Sequence, residues 1–197
     1  MTLIHPIHTI IMIQYIYILL LLVPVNTWAN SICLPGFKPK YHNAHHVQYV
    51  NTQAPESNSM NMGSCMLYYD TFNPYANPGK VAPGAVTLLF ETLVTQTADD
   101  IVCFYPLLAH TLHIKKQTLL MTLNPQARFS DQTKVTPADI AHSFHLAKQH
   151  PLYRSTLRDL SLHIESNQLI WRYTNLTSAL LALSKMPIVK HSEALIG

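Results

Sequence analysis

Charged residues are scarce in this sequence. Only 12% of its 197 residues are charged, and the formal net charge of +3 is spread along the chain instead of being gathered into a basic patch. Nucleic-acid-binding domains carry such a patch on one face or along one helix, where it meets the phosphate backbone. The composition therefore predicts no nucleic-acid partner.

Glycine is also scarce, with five residues in the chain, and the motifs that depend on it are missing from the sequence. No phosphate-binding loop is found, and Gly63-Ser64-Cys65 lacks the flanking glycine of a nucleophile elbow. Asp99 and Asp100 are adjacent carboxylates, but acid-base chemistry needs two groups with separated pKa values, so a solvated loop is the better interpretation. The sequence indicates neither an enzyme nor a bound cofactor.

Cysteine occurs three times, at Cys33, Cys65 and Cys103, so at most one disulfide can form within the chain. Cys65 and Cys103 are the favoured pair, because both lie in expected elements of regular structure while Cys33 lies in an irregular leader. Three buried free thiols are the alternative. A zinc site is not expected, because no two cysteines have the short spacing that zinc ligands use.

Lysine and arginine are missing before the apolar run of residues 10–25, which is broken only by one glutamine and one proline. Ala29 then supplies a small residue where a signal peptidase could cleave. We interpret residues 1–29 as a secretory signal peptide, with an uncleaved membrane anchor as the alternative. Residues 30–62 are polar and show no sustained period, so an extended arm is expected before a domain over residues 63–197.

The segment 119–149 contains the clearest local signals in the chain. Leu119, Met121 and Leu123 alternate along it, which is the period of a strand that buries one face. The strands predicted on such patterns cover residues 64–69, 105–123 and 160–174. The second span holds two strands, 105–114 and 117–123, joined at Lys115-Lys116, and the third forms a hairpin around Ser166-Asn167.

A helix is predicted to begin at Pro137, because several start signals coincide there. Thr136 can act as the N-cap, Pro137 suits the first helical position and Asp139 completes a capping box. Ile140 and Phe144 then fall on one face and are expected to be buried. The helices predicted for the whole chain cover residues 84–94, 137–149 and 176–184.

These segments together resemble a known family. FNPYANPG, LNPQARFSDQTKVTPADIAHSF, NQLIWRYT and the later MPIVKH are similar to the N-terminal part of family 5 extracellular solute-binding proteins, and most similar to the oligopeptide-binding components of bacterial ABC importers. The chain departs from the family pattern where Gln132 follows Asp131, because the family usually has glycine there. Glycine reaches positive φ without steric cost and glutamine does not, so this turn is of another type or strained.

The resemblance implies an α/β fold that forms a partial first lobe of a two-lobed, type II-like periplasmic binding protein. It also implies a periplasmic protein that binds an oligopeptide and delivers it to the membrane permease subunits of an ABC importer. The family's chains continue into a second lobe that is absent here, so we expect a fragment or a truncated, non-transporting product. Leu180, Leu181, Leu183 and Ile188 are then expected to lack part of their cover.

The same resemblance points to the turn after the first expected strand as the ligand-binding segment, because the matching segment of the family borders the cleft between the lobes. The candidate ligand-binding residues are Tyr69, Thr71, Phe72, Asn73 and Tyr75. Backbone groups there would pair with an extended peptide while aromatic rings cover its side chains. The alternative is loop packing, in which Phe72 and Tyr75 fill a core.

Histidine is unusually frequent, with twelve residues against thirteen lysines and arginines together. On a helix, His142 and His145 would share one face and could hold a transition metal together with His46, whereas a strand would put His110 and His113 on opposite faces. No cysteine or carboxylate completes a ligand set, so no metal site is predicted and exposed histidines are the main interpretation. A metal-binding or haem-binding protein is the alternative. His42 and His45 are three residues apart, as are His110 and His113, and His142 and His145.

Overall fold

The computed structural model describes residues 31–41, 46–55, 59, 63, 65 and 68–191. Within these residues, the chain forms both strands and helices, which confirms the mixed α/β structure expected from the sequence. The strands are β1 (Ile32–Cys33), β2 (Val94–Thr97), β3 (Asp100–Pro106), β4 (Ala109–Lys115), β5 (Thr118–Leu123), β6 (Ser161–Glu165) and β7 (Gln168–Arg172). The helices are α1 (Ala85–Leu89), α2 (Pro137–Gln149) and α3 (Leu176–Leu183).

The larger sheet has four antiparallel strands in the order β4, β5, β7, β6. Along β5, the side chains of Leu119, Met121 and Leu123 are buried and their neighbours are half-buried, which confirms the predicted period of two. On β7, Trp171 lies opposite Leu119 and Leu169 lies opposite Met121, and all four side chains are fully buried. This face of the sheet is the centre of the core.

Helix α2 covers that face through the residues predicted to be buried. Ile140 is fully buried, and the ring of Phe144 meets the ring of Trp171 edge to face, with the centroids 5.1 Å apart. The predicted capping box is present, and in it the Asp139 carboxylate accepts hydrogen bonds from the amide and the hydroxyl of Thr136, both at 2.7 Å. Local sequence signals therefore place both the start and the buried face of this helix correctly.

The smaller sheet has the strand order β1, β3, β2. Cys33 on β1 lies opposite Cys103 on β3, and the two form a disulfide, whereas Cys65 is an exposed free thiol. The predicted pairing of Cys65 with Cys103 is therefore wrong. The reason is that Cys33 belongs to a strand of two residues, which is too short to produce a pattern in the sequence and is defined only by its pairing with β3.

The chain that follows β1 is fixed to the same sheet by two carboxylates. The backbone amide of Lys40 donates to the carboxylate of Asp100 at 3.1 Å, while the Lys40 ammonium and the Tyr41 hydroxyl donate to Asp99. These hydrogen bonds, that of Lys40 first, lower the pKa of Asp99 to about 2. Asp99 and Asp100 therefore have a structural role, which their interpretation as part of a solvated loop did not include.

Two element boundaries differ from the sequence-based expectation. The helix predicted over residues 84–94 ends at Leu89, and Phe90 has extended backbone. Val94 instead begins β2, where it is fully buried against β3. The strand expected over residues 105–114 is also divided, because Pro106 has no amide hydrogen with which to continue the β3 ladder, whereas the turn expected at Lys115-Lys116 is present between β4 and β5.

Some predictions concern residues outside the described part of the chain. They include the signal peptide over residues 1–29 and the histidines His42 and His45. Half of the expected strand 64–69 lies outside it as well, and its described residues, Cys65, Tyr68 and Tyr69, belong to no strand. None of the helices that the structure describes has the length and hydropathy needed to span a membrane.

The last helix is well covered, contrary to expectation. Leu180 and Leu183 are fully buried and Ile188 is 3% exposed, because α3 and the segment after it pack into the main core. Leu181 is 37% exposed, so it alone among the four residues fits the expectation of missing cover.

The turn before α2 yields a test of backbone strain. Gln132 has a φ of 69°, the left-handed backbone that glycine adopts freely, and its side chain is exposed. We expect Gln132→Gly to raise the free energy of unfolding by some tenths of a kcal/mol up to about 1 kcal/mol, because strain is removed without loss of a buried contact. Thermal unfolding measures the change.

Lys134 in the same turn offers the matched control. It forms a bridge to Arg128 in extended backbone, so Lys134→Gly should lower the free energy of unfolding by about 0.5 to 1 kcal/mol. A lower melting temperature for Gln132→Gly than for the parent protein would contradict the interpretation.

Candidate functional site

A groove of about 970 Å³ opens on the surface beside α1. This volume is near the upper end of the range found for ligand pockets, roughly 300 to 1,000 Å³. Five stretches that are distant in sequence meet here: the turn at residues 72–73, the end of α1 and the chain after it, the loop between β3 and β4, the turn before α2, and the segment after α3. The lining consists of residues 72–73, 87–91, 107–108, 128–131, 135 and 188–190.

One wall of the groove is apolar and open to solvent. Phe72 is 55% exposed, Leu88 and Leu89 are 56% and 61% exposed, and Leu107 is 38% exposed. Large apolar side chains gathered on a concave surface are typical of a site of interaction, since leaving them in water is unfavourable. Leu88 and Leu89 belong to α1, a helix of five residues of which only Ala85 is buried.

The opposite wall, residues 188–190, is held from behind by α2. The Ser143 hydroxyl accepts a hydrogen bond from the amide of Val189 at 2.9 Å and donates to the carbonyl of Asp139 at 2.7 Å. The Asp139 carboxylate, whose side chain is 2% exposed, accepts from the amide of His191 at 2.9 Å and lies 2.7 Å from Nδ1 of the same residue. The wall is therefore positioned by buried polar contacts.

Four side chains with formal charge line the groove: Glu91, Arg128, Asp131 and Lys190. Asp131 and Lys190 form an ion pair, and the hydrogen bond from Lys190, supported by those from Thr133, holds the pKa of Asp131 well below its usual range. Within the described residues, neither Glu91 nor Arg128 forms an ion pair. One positive and one negative side chain of the groove are thus left without a counter-charge in this part of the protein.

The predicted ligand-binding residues divide between the groove and its support. Phe72 and Asn73 line the groove, and the exposed ring of Tyr69 lies 5.5 Å from that of Phe72. Thr71 is buried, and its hydroxyl accepts a hydrogen bond from the amide of Asn73 at 2.9 Å. Tyr75 is also buried, and its hydroxyl donates to the carbonyl of Pro187 at 2.5 Å. The turn thus places Phe72 and Asn73 in the groove and Thr71 and Tyr75 in the core.

Sequence reasoning missed most of the groove. Leu89 was expected on the buried face of a longer helix, and Arg128 and Lys190 were not singled out. The signal for Arg128 was present, since it is one of four charged residues inside the motif that carries the family resemblance. No local pattern could have shown that Lys190 meets Asp131, because the two are 59 residues apart in the chain.

The histidines form no metal site in the part of the chain that the structure describes, where no group of three possible ligands is found. His110 and His113 are both exposed on β4. On α2, Nε2 of His145 lies 2.8 Å from the side-chain nitrogen of Gln149, and Nε2 of His142 is buried without a hydrogen-bond partner. The alternative of a metal held by His142 and His145 on α2 therefore finds no further ligands among these residues.

Comparisons with known proteins show what the fold is similar to. No family model matches the chain. It is 31% identical over 127 residues to the probable peptide-binding protein YejA of Agrobacterium fabrum, covering 62% of this chain and 20% of that protein. It is 34% identical over 111 residues to the uncharacterized protein YejA of Escherichia coli, covering 54% of this chain and 18% of that protein.

Among solved structures, the periplasmic oligopeptide-binding protein of Thermotoga maritima with bound mannohexaose has the same fold. The TM-score is 0.50 at 21% identity, over 61% of this chain and 23% of that one. Over about 60% of its length, this chain matches family 5 extracellular solute-binding proteins. The solute-binding-protein match confirms the resemblance inferred from the sequence. The chain spans about a fifth of the length of the curated relatives it matches.

The stability that Asp139 contributes to the groove wall depends on pH, because this carboxyl has a shifted pKa. Burial acts to raise this pKa, but the hydrogen bonds from His191 and Thr136 outweigh burial and lower it below the usual value. A carboxyl whose folded pKa is lowered stabilises the fold above its unfolded pKa of about 3.9, and this contribution is lost as the pH falls through the folded pKa. Stability contributed by Asp139 should therefore be complete at neutral pH and decline below about pH 4.

We expect Asp139→Asn to lower the free energy of unfolding by about 1 to 3 kcal/mol at pH 7, because a buried acceptor of several hydrogen bonds loses its charge. The difference from the parent protein should shrink toward pH 3. Thermal unfolding between pH 3 and pH 7 measures both, with Asp159→Asn as a control at an exposed carboxylate, expected to stay within about 0.5 kcal/mol. Equal melting temperatures of Asp139→Asn and the parent protein at pH 7, or a difference between them that does not change with pH, would refute this role of Asp139.

Proposed function

We propose that this chain is part of the peptide-binding component of an ABC importer, and that the peptide lies in the groove beside α1. The observation that carries the proposal is the exposed apolar wall formed by Phe72, Leu88 and Leu89 in a fold shared with a periplasmic oligopeptide-binding protein. A relative named as a probable peptide-binding protein supports the same class of ligand.

In this proposal the turn at residues 69–75 has two tasks. Phe72 and Asn73 contact the peptide, and Tyr69 extends the aromatic surface next to Phe72. Thr71 and Tyr75 hold the turn in place from the buried side, through the hydrogen bonds described above. An extended peptide would then bind through its backbone while its apolar side chains rest on the exposed rings and leucines.

The proposal extends to the place of action and the partners. We propose that residues 1–29 are a signal peptide, that residues 30–62 form an arm, and that residues 63–197 are the N-terminal portion of a solute-binding domain in the periplasm. The peptide would be passed to the membrane permease subunits of an importer, as in the class of protein that the relatives' names describe. The arm is supported by its disulfide to β3 and by its contacts with Asp99 and Asp100.

The groove is open on one side, which sets the expected affinity. A ligand that keeps part of its surface in water gains less from burial and still loses its translational and rotational freedom. We therefore expect dissociation constants of about 0.1 to 1 mM for short apolar peptides, a range in which binding is measured by saturable NMR shifts.

The test is titration of the purified protein with a library of tripeptides to pentapeptides. Phe72→Ala should weaken binding about fivefold to thirtyfold, because an exposed aromatic contact of the ligand is removed. Leu152→Ala is the matched control, since Leu152 is 69% exposed and lies outside the groove, and it should not change the affinity. Absence of saturable binding by any peptide, or equal affinities for the parent and Phe72→Ala, would overturn the proposal.

A further inference from the structure

Arg128 is an exposed residue of the groove lining, and its guanidinium uses only part of its donors within the described residues. Its Nη1 donates to the carbonyls of Pro125 at 3.1 Å and Ala127 at 3.0 Å, which lie in the same turn. An arginine side chain has five N–H donors, and these two bonds use only the donors of Nη1. The edge formed by Nε and Nη2 keeps its donors without a partner among the described residues.

That edge has the shape that a carboxylate recognises. A guanidinium can donate two parallel N–H bonds to the two oxygens of a carboxylate, and such charge-assisted pairs are stronger and more directional than neutral hydrogen bonds. The two carbonyl bonds restrict the side chain before a ligand arrives, so less rotamer entropy is lost when the pair forms. Arg128 is therefore prepared for an anion with planar, paired oxygens.

The other charged side chains of the groove neither pair with Arg128 nor compete with it for a ligand anion. Asp131 is the nearest acid along the chain, and its ion pair is with Lys190. Glu91 lines the groove as an exposed side chain, and no ion pair joins it to Arg128 among the described residues. Since Lys190 is engaged by Asp131, Arg128 is the cation whose charge is available to a ligand there.

We propose that Arg128 binds a carboxylate of the peptide and makes the groove selective for peptides that carry one. This inference rests on the proposed function, because it assigns a ligand group to the same groove. The carboxylate can be the C-terminus of the peptide or an acidic side chain. The apolar wall at Phe72, Leu88 and Leu89 would receive the neighbouring apolar side chains of the same ligand.

The experiment uses three matched tripeptides in NMR titrations of the purified protein. They are Leu-Ala-Phe with a free C-terminus, the same peptide as its C-terminal amide, and Leu-Glu-Phe as its amide. The free acid should bind about fivefold to tenfold more tightly than the first amide. If Leu-Glu-Phe amide also binds more tightly than Leu-Ala-Phe amide, Arg128 accepts an acidic side chain as well as the C-terminus. If only the free acid binds more tightly, the C-terminus is the source of the carboxylate.

Variants of Arg128 separate this inference from the function on which it rests. In Arg128→Met the preference for the free acid should fall below twofold while the affinity for the amide is kept, and Arg128→Lys should retain part of the preference. Arg158→Met is the control at an exposed arginine outside the groove.

Three results would count against the inference. Equal binding of all three tripeptides by the parent protein overturns it while leaving peptide binding intact. If Arg128→Met weakens binding of the free acid and of its amide equally, Arg128 supports the turn, and the inference is also overturned. Failure of all three tripeptides to bind would remove the proposed function itself.

Discussion

The Asp139 carboxylate joins two parts of the chain that are far apart in sequence. It accepts hydrogen bonds from the amide and hydroxyl of Thr136, which starts α2, and from the amide of His191, with the His191 ring nitrogen at 2.7 Å. A buried carboxylate is unfavourable unless such partners surround it, and removing one partner costs more than the pair contributes. The start of α2 and the groove wall after α3 therefore depend on each other.

The groove therefore has one wall that is held by buried hydrogen bonds. Its other wall is exposed to solvent. Residues 188–190 are held by Ser143 and Asp139 from the buried side, and the amide of Ile188 donates to the carbonyl of Glu91 at 2.9 Å. Across the groove, Leu88 and Leu89 stand on a helix of five residues and remain exposed. A ligand that covers these leucines would complete the burial that the fold itself leaves unfinished.

Local signals were sufficient for the centre of the fold. The N-cap, the proline and the acid at the start of α2 act within one helical turn, so the sequence specifies that helix and its buried face without knowledge of the rest. The β6–β7 hairpin was equally predictable, because its strands alternate around a short turn in which Ser166 has positive φ. The strain expected at Gln132 followed from its departure from the family's glycine, and its φ of 69° agrees.

Contacts between residues that are far apart in the sequence could not be predicted from local patterns. The disulfide joins residues 70 positions apart and depends on a strand of two residues, so no spacing rule could select Cys33. The end of α1 at Leu89 is decided by the pairing of β2 with β3, because the same apolar spacing suits a longer helix. The groove combines both difficulties, since its walls come from five separate stretches and its ion pair joins Asp131 to Lys190.

Hydrogen exchange of the backbone amides, followed by mass spectrometry with and without a saturating mixture of short peptides, tests the central claim most directly. The account predicts slower exchange in the segments 72–76, 87–91, 128–131 and 187–190, which line or support the groove, and unchanged exchange in the β6–β7 hairpin at 161–172. Protection confined to the hairpin or to the smaller sheet, with the groove segments unchanged, would contradict it.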